Sequence, residues 1–158
     1  NPGGASVFFY CMHLHDRLTT RERPGMDQNS ERDLQAVKDY LAASMAPDPV
    51  RAAQFVAPGF VCRFTGGRRF DTPSGPTGFN ATRYAWVKKR IERYDVVPAG
   101  YQTIVYSLGY LYGEWPDGTG FDGNRYVDRF TVQDGLILDT DVWNDSAEWI
   151  LDPSIAKS

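Results

Sequence analysis

The chain has 158 residues, 42% hydrophobic and 23% charged, with 14% aromatic residues and a net charge of −3. That length suits one domain with a real core, and an acidic balance without a basic block gives no support to a nucleic-acid partner. No apolar run is long enough to span a membrane, so a protein free of the membrane is expected.

Residues 1–25 carry Gly, Pro, Arg and both histidines without periodicity, and read as an N-terminal extension of vector or upstream origin. Within it, Val7–Met12 is too short for the apolar region of a secretion signal and has no basic residues before it. His13 and His15 alone in a loose arm are a weak metal signal, and Cys11 and Cys62 lack metal-like spacing. No metal is expected, and the location expected is a reducing cytoplasm with Cys62 as a small buried hydrophobe.

A single domain is expected over residues 26–158. Ser30 reads as an N-cap with Asp33 three residues on. Leu34, Val37, Leu41 and Met45 then recur at helical spacing until Pro47. Asp48-Pro49 restarts a helix that stops at Pro58-Gly59. Phe60, Cys62 and Phe64 alternate with Val61 and Arg63 as a short strand, turned by Gly66-Gly67. Residues 68–78 read as a loop with several breakers. Asn80 then caps a third predicted helix, with Phe79 and Tyr84 as a staple and Tyr84, Val87, Ile91 and Tyr94 as its apolar stripe. Lys88, Lys89, Arg90 and Arg93 would form the solvated face of that helix.

An antiparallel meander follows. It has a short strand before Pro98-Ala99-Gly100, a long one over about 101–114, a loop at 116–120, and strands 121–133 and 136–143 joined at Asp134-Gly135. A short helix over 146–151 closes the pattern. Helices first and a curled sheet after predict an α+β domain with helices packed on one sheet face. Gly100, Gly109 and Gly113 are the expected bends.

In strand 121–133, Asn124, Tyr126, Asp128, Phe130 and Val132 would share one face. Asp128 between Tyr126 and Phe130 is either an edge residue facing water or a titratable group in a pocket. A general base needs a carboxylate in a water-poor cavity, where burial lifts its pKa; the competing reading pairs Asp128 with an arginine such as Arg63. Tyr126 either donates to a developing oxyanion or packs the core with its hydroxyl at the rim. Asn124 either orients a substrate carbonyl or serves as an edge residue. Tyr84 and Tyr106 are candidates for lining the cavity, and Asp71 either covers its mouth or makes an Asx-turn.

The order of elements, with Asp128-x-Phe130 followed by Asp134-Gly135-x-Ile137, resembles the nuclear-transport-factor-2-like (NTF2-like) superfamily. Within it the chain is similar to the SnoaL-like polyketide cyclases and the phenazine-biosynthesis A/B proteins, over roughly residues 30–152. The resemblance implies a cone-shaped curved antiparallel sheet with the N-terminal helices over its concave face, and a homodimer formed through the sheet. It places Asp128 where SnoaL-like cyclases have their acid/base aspartate, and Asn124-x-Tyr126 where the phenazine-type proteins have Asn-x-Tyr. Val142 stands where those proteins have a glutamate and limonene epoxide hydrolases an aspartate. Cys62 and Phe64 stand where the epoxide hydrolases have Tyr and Asn, and the long strand lacks their Arg-x-Asp pair. Residues 26–158 contain no histidine.

The expected function is therefore cofactor-independent acid–base chemistry, of isomerase, cyclase or lyase type, on a small apolar carbonyl-containing or polycyclic molecule. Asp128 and Tyr126 would be catalytic, and Asn124, Tyr84, Cys62, Phe64, Tyr106, Val142 and Asp71 would bind substrate. A non-catalytic small-molecule-binding module of the same fold, and a protein-interaction domain using the sheet face, stay open as alternatives.

Overall fold

A computed structural model describes residues 25–155; apart from Gly25, the expected N-terminal extension lies outside the described residues. Helix α1 (Gln28–Met45) starts ahead of the predicted cap. Asp27 is the N-cap, and its carboxylate accepts from the Ser30 amide and the Ser30 hydroxyl, both at 2.9 Å. An anionic oxygen satisfies the orphan N–H groups there and suits the positive end of the helix dipole. Asp33 is thereby left for tertiary work. It is buried and accepts from the Thr103 hydroxyl at 2.7 Å and the Gly135 amide at 2.8 Å, fastening α1 to the sheet. The second predicted helix start is as read, with the Asp48 carboxylate accepting from the Arg51 amide and Pro49 in the first turn of α2 (Pro49–Ala52).

The remaining elements are β1 (Val56–Phe64), β2 (Arg68–Phe70), α3 (Ser74–Arg83), β3 (Trp86–Ala99), β4 (Gln102–Glu114), β5 (Gly120–Gln133), β6 (Leu136–Asn144) and α4 (Ser146–Leu151). The six strands form one curved, unclosed sheet in the order β2-β1-β6-β5-β4-β3. It is antiparallel except where β1 runs parallel to β6. That pairing closes a long crossover, because the chain leaves β1 through β2 and α3 and returns only after the meander. The domain is α+β, as expected.

Three predicted elements are corrected. The second helix ends at Ala52, one 3-10 turn spans Ala53–Phe55, and Val56 already opens β1, so Pro58-Gly59 lies inside that strand and does not end a helix. Part of the expected loop 68–78 is ordered as β2 and the start of α3, with Pro76 in the first turn, where a missing N–H costs nothing. The largest correction is β3, expected as a helix. One residue, Glu92, is extra opposite β4, since Ile91 faces Gly109 while Arg93 faces Leu108. This bulge shifts the strand's parity, so inward residues fall at 87, 89, 91, 94 and 96. The subset Tyr84, Val87, Ile91, Tyr94 thereby mimics helical spacing. Lys88, Lys89, Arg90 and Arg93 consequently do not share a solvated helix face: Lys89 turns inward and Lys88 and Arg90 outward.

Of the three glycines expected at bends, Gly100 makes a turn and the other two lie where backbones approach closely. Gly100 has φ 67° in the two-residue turn between β3 and β4. A Cβ at Gly109 or Gly113 would run into the carbonyl oxygen of Arg90 or Trp86 across the β3–β4 pair. Asp134 and Gly135, at φ 52° and 76°, make the predicted turn between β5 and β6.

Helix α1 lies across the inner sheet face, burying Val37, Tyr40 and Leu41 against Phe60, Cys62, Val105, Phe130, Val132 and Ile137. A second cluster of Tyr84, Leu111, Phe121 and Tyr126, with Trp115 and Trp149 packed on it, fills the other end. No helix among the described residues is long and apolar enough to cross a membrane.

Candidate active site

Between the inner sheet face, the C-terminal half of α1 and the end of α3 lies a cavity of about 270 Å³. Its walls are mostly apolar, with Leu41, Met45, Phe64, Leu111, Phe130 and Val142 among them. The face expected on β5 is the one that turns inward: Asn124, Tyr126, Asp128, Phe130 and Val132 are all buried. Asp128 sits opposite Ser107 on β4 and Val142 on β6, at 1% exposure. Burial pushes its carboxyl above the ordinary range, and the neighbouring Lys89 charge pulls the other way.

Lys89 is the partner that Asp128 finds. Its ammonium donates to Asp128 Oδ2 and lies 4.3 Å from the centroid of the Tyr126 ring, a favourable place for a cation over an aromatic face. The Lys89 backbone amide points at Met45 Sδ, 3.4 Å away, so β3 is held against the end of α1. Asp128 therefore borders the cavity and is also paired, but with a lysine of β3 and not with the arginine that the pairing reading named. Arg63 instead joins Asp139 and Asp141 on the outer face. The other carboxylate oxygen, Asp128 Oδ1, is buried without a hydrogen-bond partner, and so is the hydroxyl of Thr140. Thr140 also lines the cavity, on β6 opposite Phe130.

The remaining candidates divide. Tyr126, Tyr84, Cys62, Phe64 and Val142 line the cavity with Asp128. The Tyr126 hydroxyl meets Ser107 Oγ at 2.9 Å, and burial keeps the phenol protonated. It can donate toward a ligand while accepting from Ser107. Tyr84 hydrogen-bonds through its hydroxyl to Ser146. Burial pushes the Cys62 thiol up to about 12, so it is no nucleophile near neutral pH.

Asn124, Tyr106 and Asp71 are not brought to the cavity. The Asn124 carboxamide donates to Ser146 Oγ at 2.7 Å and accepts from the Asp145 amide at 3.1 Å, which fastens the start of α4. Tyr106 lies across from Arg129 and Asp95 on the outer sheet face, because Val105 and Ser107 on either side of it point inward. Asp71 is exposed in the turn before α3 and does not border the cavity.

Sequence reasoning passed over Lys89 and Thr140. For Lys89 a signal existed, because Val87-x-Lys89-x-Ile91 puts one charge inside a β-branched alternation. For Thr140 there was none, since a threonine within a strand is ordinary.

No family model matches the sequence, and no curated protein matches it. Solved structures do. An NTF2-like protein of unknown function from Burkholderia pseudomallei K96243 is similar at TM-score 0.62 and 16% identity, covering 76% of this chain and 95% of that one. A protein assigned as a SnoaL-like polyketide cyclase, from Jannaschia sp. CCS1, is similar at TM-score 0.61 and 18% identity, over 83% and 94% of the two chains. One assigned as a ketosteroid isomerase, from Shewanella frigidimarina NCIMB 400, is similar at TM-score 0.58 and 14% identity, over 71% and 94%. The chain therefore has the NTF2-like fold, a curved sheet with helices over its inner face. At these identities the likeness establishes the fold, and function must be argued from the site.

Proposed function

We propose that this protein is a cofactor-independent acid–base enzyme, of isomerase, cyclase or lyase type, acting on a small apolar carbonyl compound. The observation that carries this reading is the Asp128 carboxylate, buried in an apolar cavity and paired with Lys89. A carboxylate whose pKa is lifted by burial is a better base than one in water. With a carbonyl compound bound, Asp128 would take a proton from the carbon next to the carbonyl. The Lys89 ammonium would neutralise the enolate oxygen that forms, a role fixed cations fill best where water is excluded. Tyr126 would add a hydrogen bond. The proton on Asp128 would then return at another carbon in an isomerase, or follow ring closure in a cyclase. At about 270 Å³ the cavity lies just below the usual range of ligand pockets, ~300–1,000 Å³, which favours one or two rings over larger polycycles.

The test is carbon-acid exchange. Cyclic ketones and β,γ-unsaturated ketones incubated with the protein in heavy water should gain deuterium next to the carbonyl, followed by proton NMR. Asp128→Asn should slow that exchange by ~10²–10⁴-fold. Equal exchange by wild type and variant would remove Asp128 as the base.

A second reading is a small-molecule-binding module without turnover. Two observations favour it: Lys89 already occupies Asp128 Oδ2, and Val142, across from Asp128, supplies no second carboxylate. It predicts saturable binding of the same ketones without exchange.

A further inference from the structure

Lys89 has a chemistry that a mere counter-ion would not use. The chain has four lysines, Lys38, Lys88, Lys89 and Lys157. Among the described residues, Lys89 alone places its ammonium beside a buried carboxylate, over an aromatic ring and against the apolar cavity. Lys88, its neighbour, also borders the cavity, but it is exposed and alternates to the other face of the same strand. A primary amine in an apolar pocket, with a proton acceptor in contact, has the arrangement needed to attack a carbonyl carbon. Two further buried atoms, Asp128 Oδ1 and Thr140 Oγ1, are unpartnered at the same cavity. Burying polar groups without partners is costly, and a hydroxyl-bearing adduct held on Lys89 would meet that need.

We infer that Lys89 captures aldehydes and ketones covalently, as an imine on Nζ, with Asp128 carrying the protons. The inference rests on the reading that carbonyl compounds enter this cavity. In the first step the Lys89 ammonium passes one proton to the Asp128 carboxylate. The freed nitrogen lone pair forms the N–C bond as the carbonyl π bond breaks. The carbonyl oxygen takes the proton from Asp128 and becomes the hydroxyl of a carbinolamine, and the nitrogen passes its extra proton to the Asp128 carboxylate. In the second step that hydroxyl is protonated from Asp128 and leaves as water while nitrogen forms the C=N bond. The sum is one protonated amine and one carbonyl giving one protonated imine and one water, with no oxidant or reductant consumed. A protonated imine draws electrons from the adjacent carbon more strongly than a carbonyl does, so the capture would assist the proton abstraction assigned to Asp128.

The experiment uses benzaldehyde with sodium cyanoborohydride on the full chain, followed by peptide mapping, and benzyl alcohol as a probe of the same shape that cannot form an imine. Binding of each is followed by tryptophan fluorescence. The expected result is a reduced adduct on Lys89 with little on Lys88, competed away by benzyl alcohol and lost in Lys89→Arg, which keeps the charge. Lys88 serves as the control within wild type, so the result stands even if Lys89→Arg folds poorly. Equal labelling of Lys88 and Lys89 overturns the inference, because it marks surface chemistry. Binding of both probes without a Lys89 adduct overturns imine formation and leaves the acid–base reading intact. Absence of both binding and adduct overturns the two together.

Discussion

Lys89→Met is the perturbation that most directly tests how the cavity is held. In the wild type, the Lys89 side chain is 18% exposed and that of Asp128 2% exposed, so the pair is largely removed from water. Methionine keeps most of the stem volume and removes the charge. Asp128 is then a buried carboxylate with no cation, and breaking a buried pair in this way costs about 3–5 kcal/mol. For a chain of 158 residues that corresponds to a fall in Tm of roughly 10–15 °C. The cost must depend on pH. The penalty belongs to the ionised carboxylate, so it should be present at pH 8 and fade as pH falls to the ordinary Asp value of ~3.9, below which native and unfolded carboxyls are both protonated. The native pKa lies above the unfolded one, so stability is lost as pH rises between those two values, and in Lys89→Met that loss should be larger than in wild type. Urea melts followed by fluorescence from pH 3 to 9 would measure it. The double variant Lys89→Met/Asp128→Asn should recover much of the loss at pH 8. A destabilisation equal at pH 4 and pH 8, or a double variant no better than the single one, would refute the account of a buried charge pair.

Asp33→Ala should cost about 1–3 kcal/mol through lost acceptors for the Thr103 hydroxyl and the Gly135 amide, with faster hydrogen exchange at Gly135 as the local signature. Arg63→Ala should cost less than about 1 kcal/mol despite its contacts to Asp139 and Asp141, because its side chain is 44% exposed, and a loss of more than about 2 kcal/mol in urea melts would contradict that. Cys62, 1% exposed and with its thiol pushed up to about 12, should resist Ellman's reagent at pH 8 until urea unfolds the chain; prompt labelling of the peptide carrying Cys62 would contradict its burial. Gly109→Ala should destabilise by about 1–3 kcal/mol, since the added methyl meets the Arg90 carbonyl across the sheet, and an unchanged urea midpoint would show that the β3–β4 pair can yield.

Much of the fold was legible because its signals are local. Asp48-Pro49 and Asp134-Gly135 carry cap and turn geometry in two residues each, and the alternation from Asn124 to Val132 states which side chains enter the core. The β3 segment imitates a helix for an equally local reason. One extra residue at Glu92 brings a period of two close to one of 3.6, and only pairing with β4 distinguishes them. With β3 taken as a helix, Lys89 fell on a solvated face and the partner of Asp128 was lost from view.

Element types over most of the chain, the inward face of β5 and Asp128 as the carboxylate to follow can all be read from the residues in order. Those are properties of spacing along one strand or one helix. Tertiary structure alone decided that the cation facing Asp128 is Lys89, that Tyr106 turns outward, that Asn124 fastens α4 and that Thr140 stands unpartnered at the cavity. Lys89 and Asp128 are 39 residues apart and meet across β4, the strand between them. Their contact depends on two registers and a bulge, and registers are set by the packing of the whole sheet against α1.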